Sequence, residues 1–328
     1  MAIANEKVGR YLLRNPLGAG GMGEVWKAYD ELFDHEVALK IVRSEHDPTH
    51  RQALVQEIAS MKNLPGHQNL VSLLDVVEEG GAPSGIVMEY VPGPTLKEVL
   101  ENYPDGLPWN LIAPLVEGLL NGLGHVHNNL IIHRDLKPGN IKLQRYDGAK
   151  PFRATQVKLL DFGLARIKQN EDTEFTRGGA GTCVYMSPEQ LRREPQAVPT
   201  DIYAFGVLLF EISCGHPPFF GSIAAICEGH TNQIPPLISS QRSNVPEELD
   251  LAVKQALSKR MTDRPASTEV LLNLLQPCLD VLAASAEGHS IPGLNPPIRP
   301  SETITQPLHG IGRTPVLPVD TRSKPKSS

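Results

Sequence analysis

The chain has 328 residues, with 31 Lys and Arg against 37 Asp and Glu, a formal charge of −6. That length buries a sizeable core as one large or two modest domains, and the acidic balance excludes the basic excess expected of a generic nucleic-acid binder. No run approaches the ~18 apolar residues of a membrane span, and the polar start MAIANEKVGRYLL is unlike a secretory leader, so a soluble, cytoplasmic protein is expected.

Residues up to about 90 read as strand-rich with one helix. Segments 11–17 and 24–29 flank Gly18, Gly20 and Gly23, and 36–42 alternates. On the last of these, Val37, Leu39 and Ile41 share one face, while Ala38, Lys40 and Val42 share the other. Lys40 therefore stands beside a small alanine, where a flat group has room. The next helix repeats Leu54, Ile58 and Met61 as an inward stripe. Glu57 lies one position off it and is expected at the core edge, short of full burial. From about 95 the chain turns helical. Leu111, Leu115, Leu119, Leu123 and Val126 form a long stripe, and TDIYAFGVLLFEIS, from Thr200, is apolar nearly all round, as for a helix inside a helical lobe. Short helices follow near 246–258 and 267–275. From 285 prolines punctuate a stretch without aromatics that is +3 from Gly288 on. Such a composition buries too little apolar surface to offset ordering entropy, so 285–328 reads as a disordered tail.

The chemistry concentrates in HRDLKPGN, His133 to Asn140, and in Asp161-Phe162-Gly163. Asp135 can accept a proton from a hydroxyl, and Asn140 and Asp161 offer oxygen ligands to Mg²⁺. Gly18-x-Gly20-x-x-Gly23-x-Val25 is weak alone, since dinucleotide-binding folds carry it too; here a strand rather than a helix follows, and there is no Walker-type run. Lys40 closes Val37-Ala38-Leu39-Lys40. Its ammonium suits α- and β-phosphates and needs a carboxylate to hold it, for which Glu57 is the candidate.

These motifs resemble the protein kinase superfamily. The wording L-G-A-G-G-M-G-E-V-W and Y-M-S-P-E-Q is most similar to the bacterial eukaryotic-like Ser/Thr protein kinases, over about residues 10–276. The resemblance implies a bilobal α+β fold, with an antiparallel-sheet N-lobe carrying one main helix (about 10–91) and a mainly helical C-lobe (about 92–280). It also implies Mg-ATP-dependent (or Mn²⁺-dependent) phosphoryl transfer to Ser or Thr of protein substrates, with self-association for autophosphorylation in trans. Asp135 is then the catalytic base and Lys137 the Ser/Thr-type lysine. Lys40 and Glu57 are the phosphate-positioning pair, and Asn140 and Asp161 the metal ligands. Leu17 and the three glycines close over the nucleotide. Val25 and Ala38 cover the adenine, Met88 is the gatekeeper, Glu89 and Val91 supply hinge contacts, and Lys142 lies below the ring. Glu189 pairs with Arg264, Asp201 holds the catalytic loop, and Met61, Leu73, His133 and Phe162 stack in an internal column. Thr182 contacts the catalytic pair, while phosphorylation of Thr173 or Thr176 would recruit Arg134.

Two departures stand out. The position of Lys142 is usually apolar; a lysine stem under the ring with its head in water would weaken nucleotide binding without abolishing it. Asn140 and Asp161 are 21 residues apart, longer than expected, and YDGAKPFRA fits an enlarged hairpin loop. The positions where basophilic relatives carry acids are Thr95 and Gly139, leaving only Glu211, so no strong demand for substrate arginine is expected. The rival reading is a pseudokinase-like nucleotide-binding scaffold, though the lysine, base and metal aspartate are all present. A small-molecule phosphotransferase is disfavoured by the S-P-E segment and Arg264. The four cysteines form no C-x-x-C pair and read as free thiols of a reducing cytosol, with Cys183, beside Thr182, the one placed where redox sensitivity would matter.

Overall fold

Alternation along β4 (His35–Ile41) organises the N-terminal lobe. Val37 and Leu39 are fully buried on one face with Tyr11, Leu13, Trp26, Ala28 and Val87. Ala38 and Lys40 turn to the opposite face, where Leu54, Ile58 and Met61 of α1 (Pro48–Lys62) close over Ile86 and Met88. The computed structural model describes residues 3–20, 23–41, 48–161 and 183–284.

Six antiparallel strands form the sheet: β1 (Lys7–Val8), β2 (Tyr11–Gly20), β3 (Gly23–Asp30), β4, β5 (Leu73–Glu79) and β6 (Ala82–Glu89), in the order β1-β2-β3-β4-β6-β5. β2 and β3 meet at Gly20 opposite Gly23, and two register shifts in β2 bend the hairpin near Pro16. The α1 stripe packs as its spacing predicts. Glu57 departs from expectation: it is 0% exposed, drawn fully inside by Lys40.

The second lobe holds α2 (Leu96–Leu100), α3 (Trp109–Asn128), a hairpin of β7 (Ile141–Leu143) and β8 (Val157–Leu159), α4 (Pro188–Leu191), α5 (Val198–Cys214), α6 (Ile223–Thr231), α7 (Glu247–Ala256) and α8 (Thr268–Ala284). All five residues of the long α3 stripe are fully buried, each worth roughly 1.5–3 kcal/mol of transfer free energy. α5 starts at Val198, two residues before the Thr200 that opens the apolar run, because Pro199 suits the first helical turn. It ends at Gly215 with φ +81°, where a Cβ would lie 1.8 Å from the Pro104 carbonyl oxygen, so only glycine serves. The last helix is longer than the sequence pattern implies, running to Ala284.

The connection 144–156 between β7 and β8 is the enlarged hairpin loop. Tyr146 and Phe152 pack edge to face inside it, and the Asn69 side chain donates to the carbonyls of Ala154 (2.6 Å) and Val157 (2.8 Å). Its role is thus to seal the back of the lobe. The bilobal α+β architecture is as the resemblance implies. No described helix is long and apolar enough to cross a membrane.

Candidate active site

Between sheet and helical lobe runs a cleft of about 450 Å³, within the usual range of small-molecule sites. Leu17, Gly18, Gly23, Val25 and Ala38 line its roof, Lys40 and Met88 its back, and Glu89 and Val91 the segment linking the lobes. Asp135, Lys137, Asn140, Lys142 and Asp161 form its floor. Gly20 sits at the hairpin tip opposite Gly23. Val71, Leu160 and Glu98 also line the cleft and were missed from sequence, and Thr95, singled out there only in connection with substrate arginine, joins them. Leu160 had one signal, its place immediately before Asp161; the others are brought in only by tertiary packing.

The back of the cleft is an ionic triad. Lys40 Nζ donates to both Glu57 oxygens (2.9 and 3.2 Å) and to Asp161 Oδ1 (3.2 Å). Burial alone would lower the Lys40 pKa, but the Asp161 and Glu57 carboxylates hold it above its ordinary value, so the ammonium stays charged. Burial, seconded by the Asp161 charge, pushes Glu57 up to about 7.

On the floor, Asp135 Oδ2 accepts from Lys137 Nζ (2.7 Å) and from Asn140 Nδ2 (3.0 Å), and Asn140 also donates to the Asp135 carbonyl (2.8 Å). The short helical turn Pro138–Asn140 makes this closure. Arg134 (φ +67°) and Asp161 (φ +50°) adopt left-handed backbone that non-glycine residues seldom take, strain of about 1–3 kcal/mol each that surrounding contacts must hold. For Arg134 the holder is Asp201 at the head of α5. Its two oxygens accept the backbone N–H groups of His133 and Arg134, each at 2.7 Å, and its Oδ2 also meets His127 Nε2 at 2.8 Å. Burial would raise the Asp201 pKa, yet the His127 hydrogen bond and nearby imidazoles keep it low. His127 is a support the motif reading did not name.

Lys142 corrects an expectation. Its ammonium does not run out to water but donates to the Gly93 carbonyl at 2.6 Å, and burial lowers its pKa. Three successive carbonyls of the linking segment are thereby engaged from β7 and the residues after it: Pro92 by Arg145 N, Gly93 by Lys142 Nζ and Pro94 by Leu143 N. Gly93 (φ +124°) allows this approach, since a Cβ there would lie 2.1 Å from the Leu143 oxygen. The Glu89 side chain turns away to Lys158 at 2.9 Å, leaving its main chain as what it offers the cleft.

Below the cleft, Arg264 grips Glu189 with two parallel bonds of 2.8 and 2.9 Å. Thr200 donates to the same carboxylate, and Arg264 spends its other donors on the carbonyls of Ser258, Pro199 and Lys259. Burial would raise the Glu189 pKa; Arg264 holds it below the ordinary value. Tyr185 donates to Glu211 at 2.7 Å, so the one carboxylate left as a candidate for substrate arginine is already engaged. Met61 and His133 are buried and Leu73 packs on the same core. Phe162, Thr173, Thr176 and Thr182 lie outside the described residues.

Among the described residues no three His, Cys, Asp or Glu side chains gather into a metal site. Asn140 and Asp161 nonetheless fit a Mg²⁺ that takes one carboxylate and completes its shell with phosphates and water. Asn140 donates through Nδ2, which leaves its Oδ1 as the ligating side, and Asp161 commits only Oδ1 to Lys40.

The protein kinase domain family model matches residues 11–274. A probable serine/threonine-protein kinase of Streptomyces coelicolor is 34% identical over 280 residues, 83% of this chain and 40% of that protein. The serine/threonine-protein kinase PrkC of Bacillus subtilis is 33% identical over 79% of this chain and 39% of its own length, and PknB of Mycolicibacterium smegmatis 34% over 78% and 40%. The chain thus spans about 40% of the length of these curated relatives. In fold, the PknI kinase domain of Mycobacterium tuberculosis superposes with a TM-score of 0.63, covering 86% of this chain and 100% of that domain at 23% identity. With a family match over residues 11–274, which hold every residue of this cleft, the chain belongs to the protein kinase domain family.

Proposed function

We propose that this chain is a Ser/Thr protein kinase that uses Mg-ATP (or Mn-ATP) to phosphorylate protein hydroxyls. The observation that carries the reading is the convergence on one cleft of Lys40, Asp135, Lys137, Asn140 and Asp161, with Lys40 held by Glu57 at 2.9 Å. In this reading the ammonium of Lys40 orients the α- and β-phosphates, and Glu57 fixes that ammonium. Asp135, held by Lys137 and Asn140, takes the hydroxyl proton as the new P–O bond forms and the bond from the γ-phosphorus to the β–γ bridging oxygen breaks, so that ADP leaves. Lys137 then stabilises charge developing on the transferred group. Asn140 and Asp161 would hold a divalent cation, which would neutralise phosphate charge there. Asp201 and His127 contribute by holding the backbone of His133 and Arg134, hence the aim of Asp135.

The kinase domain in this proposal occupies residues 1–280, and the Pro-rich segment from 285 is a tail outside the described residues. Cytoplasmic placement, protein substrates without a required upstream arginine, autophosphorylation at Thr173 or Thr176 and self-association in trans belong to the same reading. The test is incorporation of label from [γ-³²P]ATP with Mg²⁺ or Mn²⁺ into the protein and a generic substrate. Label is expected on the wild type, and Asp135→Asn should lower it by about 10²–10⁴-fold, the usual share of general-base catalysis. Nucleotide binding without any transfer, across activators and substrates, would favour the scaffold reading.

A further inference from the structure

Alternation along the β7–β8 hairpin puts Ile141, Leu143, Val157 and Leu159, all fully buried, on one face, where β8 packs on α3. The opposite face presents Lys142 and Lys158, which the strand register sets directly across from one another. Like charges in that position oppose strand pairing, so each needs a partner of its own. Both partners lie on the segment that links the lobes. Lys142 Nζ donates to the Gly93 carbonyl at 2.6 Å. Lys158, itself buried, meets both Glu89 carboxylate oxygens at 2.9 and 3.0 Å and donates to the Leu70 carbonyl at 3.3 Å. The Glu89 main-chain N–H is meanwhile given to the Ser72 carbonyl at 2.9 Å. One two-stranded platform thus grips the linking segment near its start, at Glu89, and near its end, from Pro92 to Pro94. Between the two grips lie Tyr90 and Val91, which with Glu89 line the cleft.

We propose that Lys158 is a positioning residue for the nucleotide: acting through Glu89, and jointly with Lys142, it holds the linking segment where the base is seated. The inference rests on the kinase reading of the cleft. Lys158 itself touches no ligand in this role. Its pair with Glu89 suits the task, because a carboxylate and an ammonium taken out of water hold a narrow geometry, and separating them leaves a charge uncompensated. A segment fastened at one end swings about that end. Fastened at both, it keeps Glu89, Tyr90 and Val91 in fixed relation to the floor of the cleft. The entropy of ordering the segment is then lost on folding and not again on binding, which is how preorganisation raises affinity.

The test replaces the pair as a unit, since Lys158→Met alone strands the Glu89 carboxylate and endangers folding. Glu89→Met combined with Lys158→Met puts two apolar side chains in its place, an exchange that often leaves stability unchanged or raised. In the full chain this double variant should melt in urea as the wild type does. Its Kd for Mg-ADP, read by calorimetry, should nonetheless rise by about five- to tenfold, the cost of ordering a freed segment on binding. Wild-type stability with a wild-type Kd would make the pair scaffold alone and overturn the role. Adding Lys142→Met should weaken Mg-ADP little further, because one end is already free; effects that multiply in full would overturn the joint hold. Hydrogen exchange of the nucleotide-free protein reads the clamp without a ligand. Peptides covering residues 89–95 should exchange about tenfold faster in the double variant, and equal rates would overturn the clamp. The kinase reading fails separately, if the wild type neither binds Mg-ADP nor transfers phosphate, and the exchange rates still decide whether the clamp exists.

Discussion

Among the described residues, a buried carboxylate–cation pair in one lobe and another in the second are built differently. Glu189 and Arg264 are saturated: both carboxylate oxygens are taken, Thr200 adds a donor, and three main-chain carbonyls consume the remaining guanidinium hydrogens. Glu57, equally buried, has Lys40 as its partner, and Lys40 is shared with Asp161 at the open cleft. The electrostatic result is opposite in sign. Glu189 is held below the ordinary carboxylate value and Glu57 is pushed up to about 7. A buried ion pair stabilises only when its other hydrogen-bonding capacity is met; the saturated pair reads as scaffold, the sparse one as working chemistry.

The largest expected effect breaks the scaffold side. Arg264→Met strands the Glu189 carboxylate, and urea denaturation should show a loss of about 3–5 kcal/mol; a loss under 1 kcal/mol would put this pair on a level with an exposed one. On the other side, Lys40→Met should cost less stability, because Glu57, already pushed up to about 7, can take a proton once its partner is gone. The kcat of this variant should fall by about 10²–10³-fold, as when one preorganised transition-state donor is removed. A variant that melted early yet turned over normally would invert the comparison.

The pH responses sharpen it further. Because the Glu57 pKa rises from 4.5 to about 7, its contribution to folding is present at low pH and lost as pH rises through that window. Glu189, with its pKa lowered, contributes stability above the ordinary carboxylate pKa that is lost on acidification. For activity the Glu57 charge is needed, so kcat should fall up to about tenfold per pH unit below 7. Glu57→Gln, which does not titrate, should be slower and flat from about pH 6 to 8. An acidic limb that survives in that variant would assign it to another group. The smallest effect concerns Lys142. Lys142→Met keeps the stem and removes one of three clamps on the linking segment, so ATP KM should rise by a few-fold, about 1 kcal/mol or less, with kcat unchanged; a lower KM would show that the buried ammonium hinders the nucleotide.

Much of the site was legible because its chemistry is carried by short contiguous runs. His133 to Asn140 delivers a base, a lysine and an amide within one loop, and strand alternation alone turns Lys40 toward the cleft beside Ala38. The stripes of α1 and α3 announced the core of each lobe. Glu57 was placed correctly along the chain but wrongly in depth, since spacing reports which side of a helix a residue takes and not what reaches in to meet it. The head of Lys142 was misjudged for the same reason: its acceptor, the Gly93 carbonyl, is 49 residues away. His127, Glu98 and Val71 carried no local signal.

By itself the sequence determined the lobes, the order of the strands and helices that bear the chemistry, and the types of residue that meet in the cleft, because periodicity and short motifs are local properties of the chain. The tertiary contacts settled which charges are shared, saturated or left sparse: Asp201 under the backbone of residues 133 and 134, and Lys158 drawing the Glu89 side chain away. Those outcomes depend on long-range approach and on the desolvation that accompanies it, which set the energy of a charge far more than its identity does.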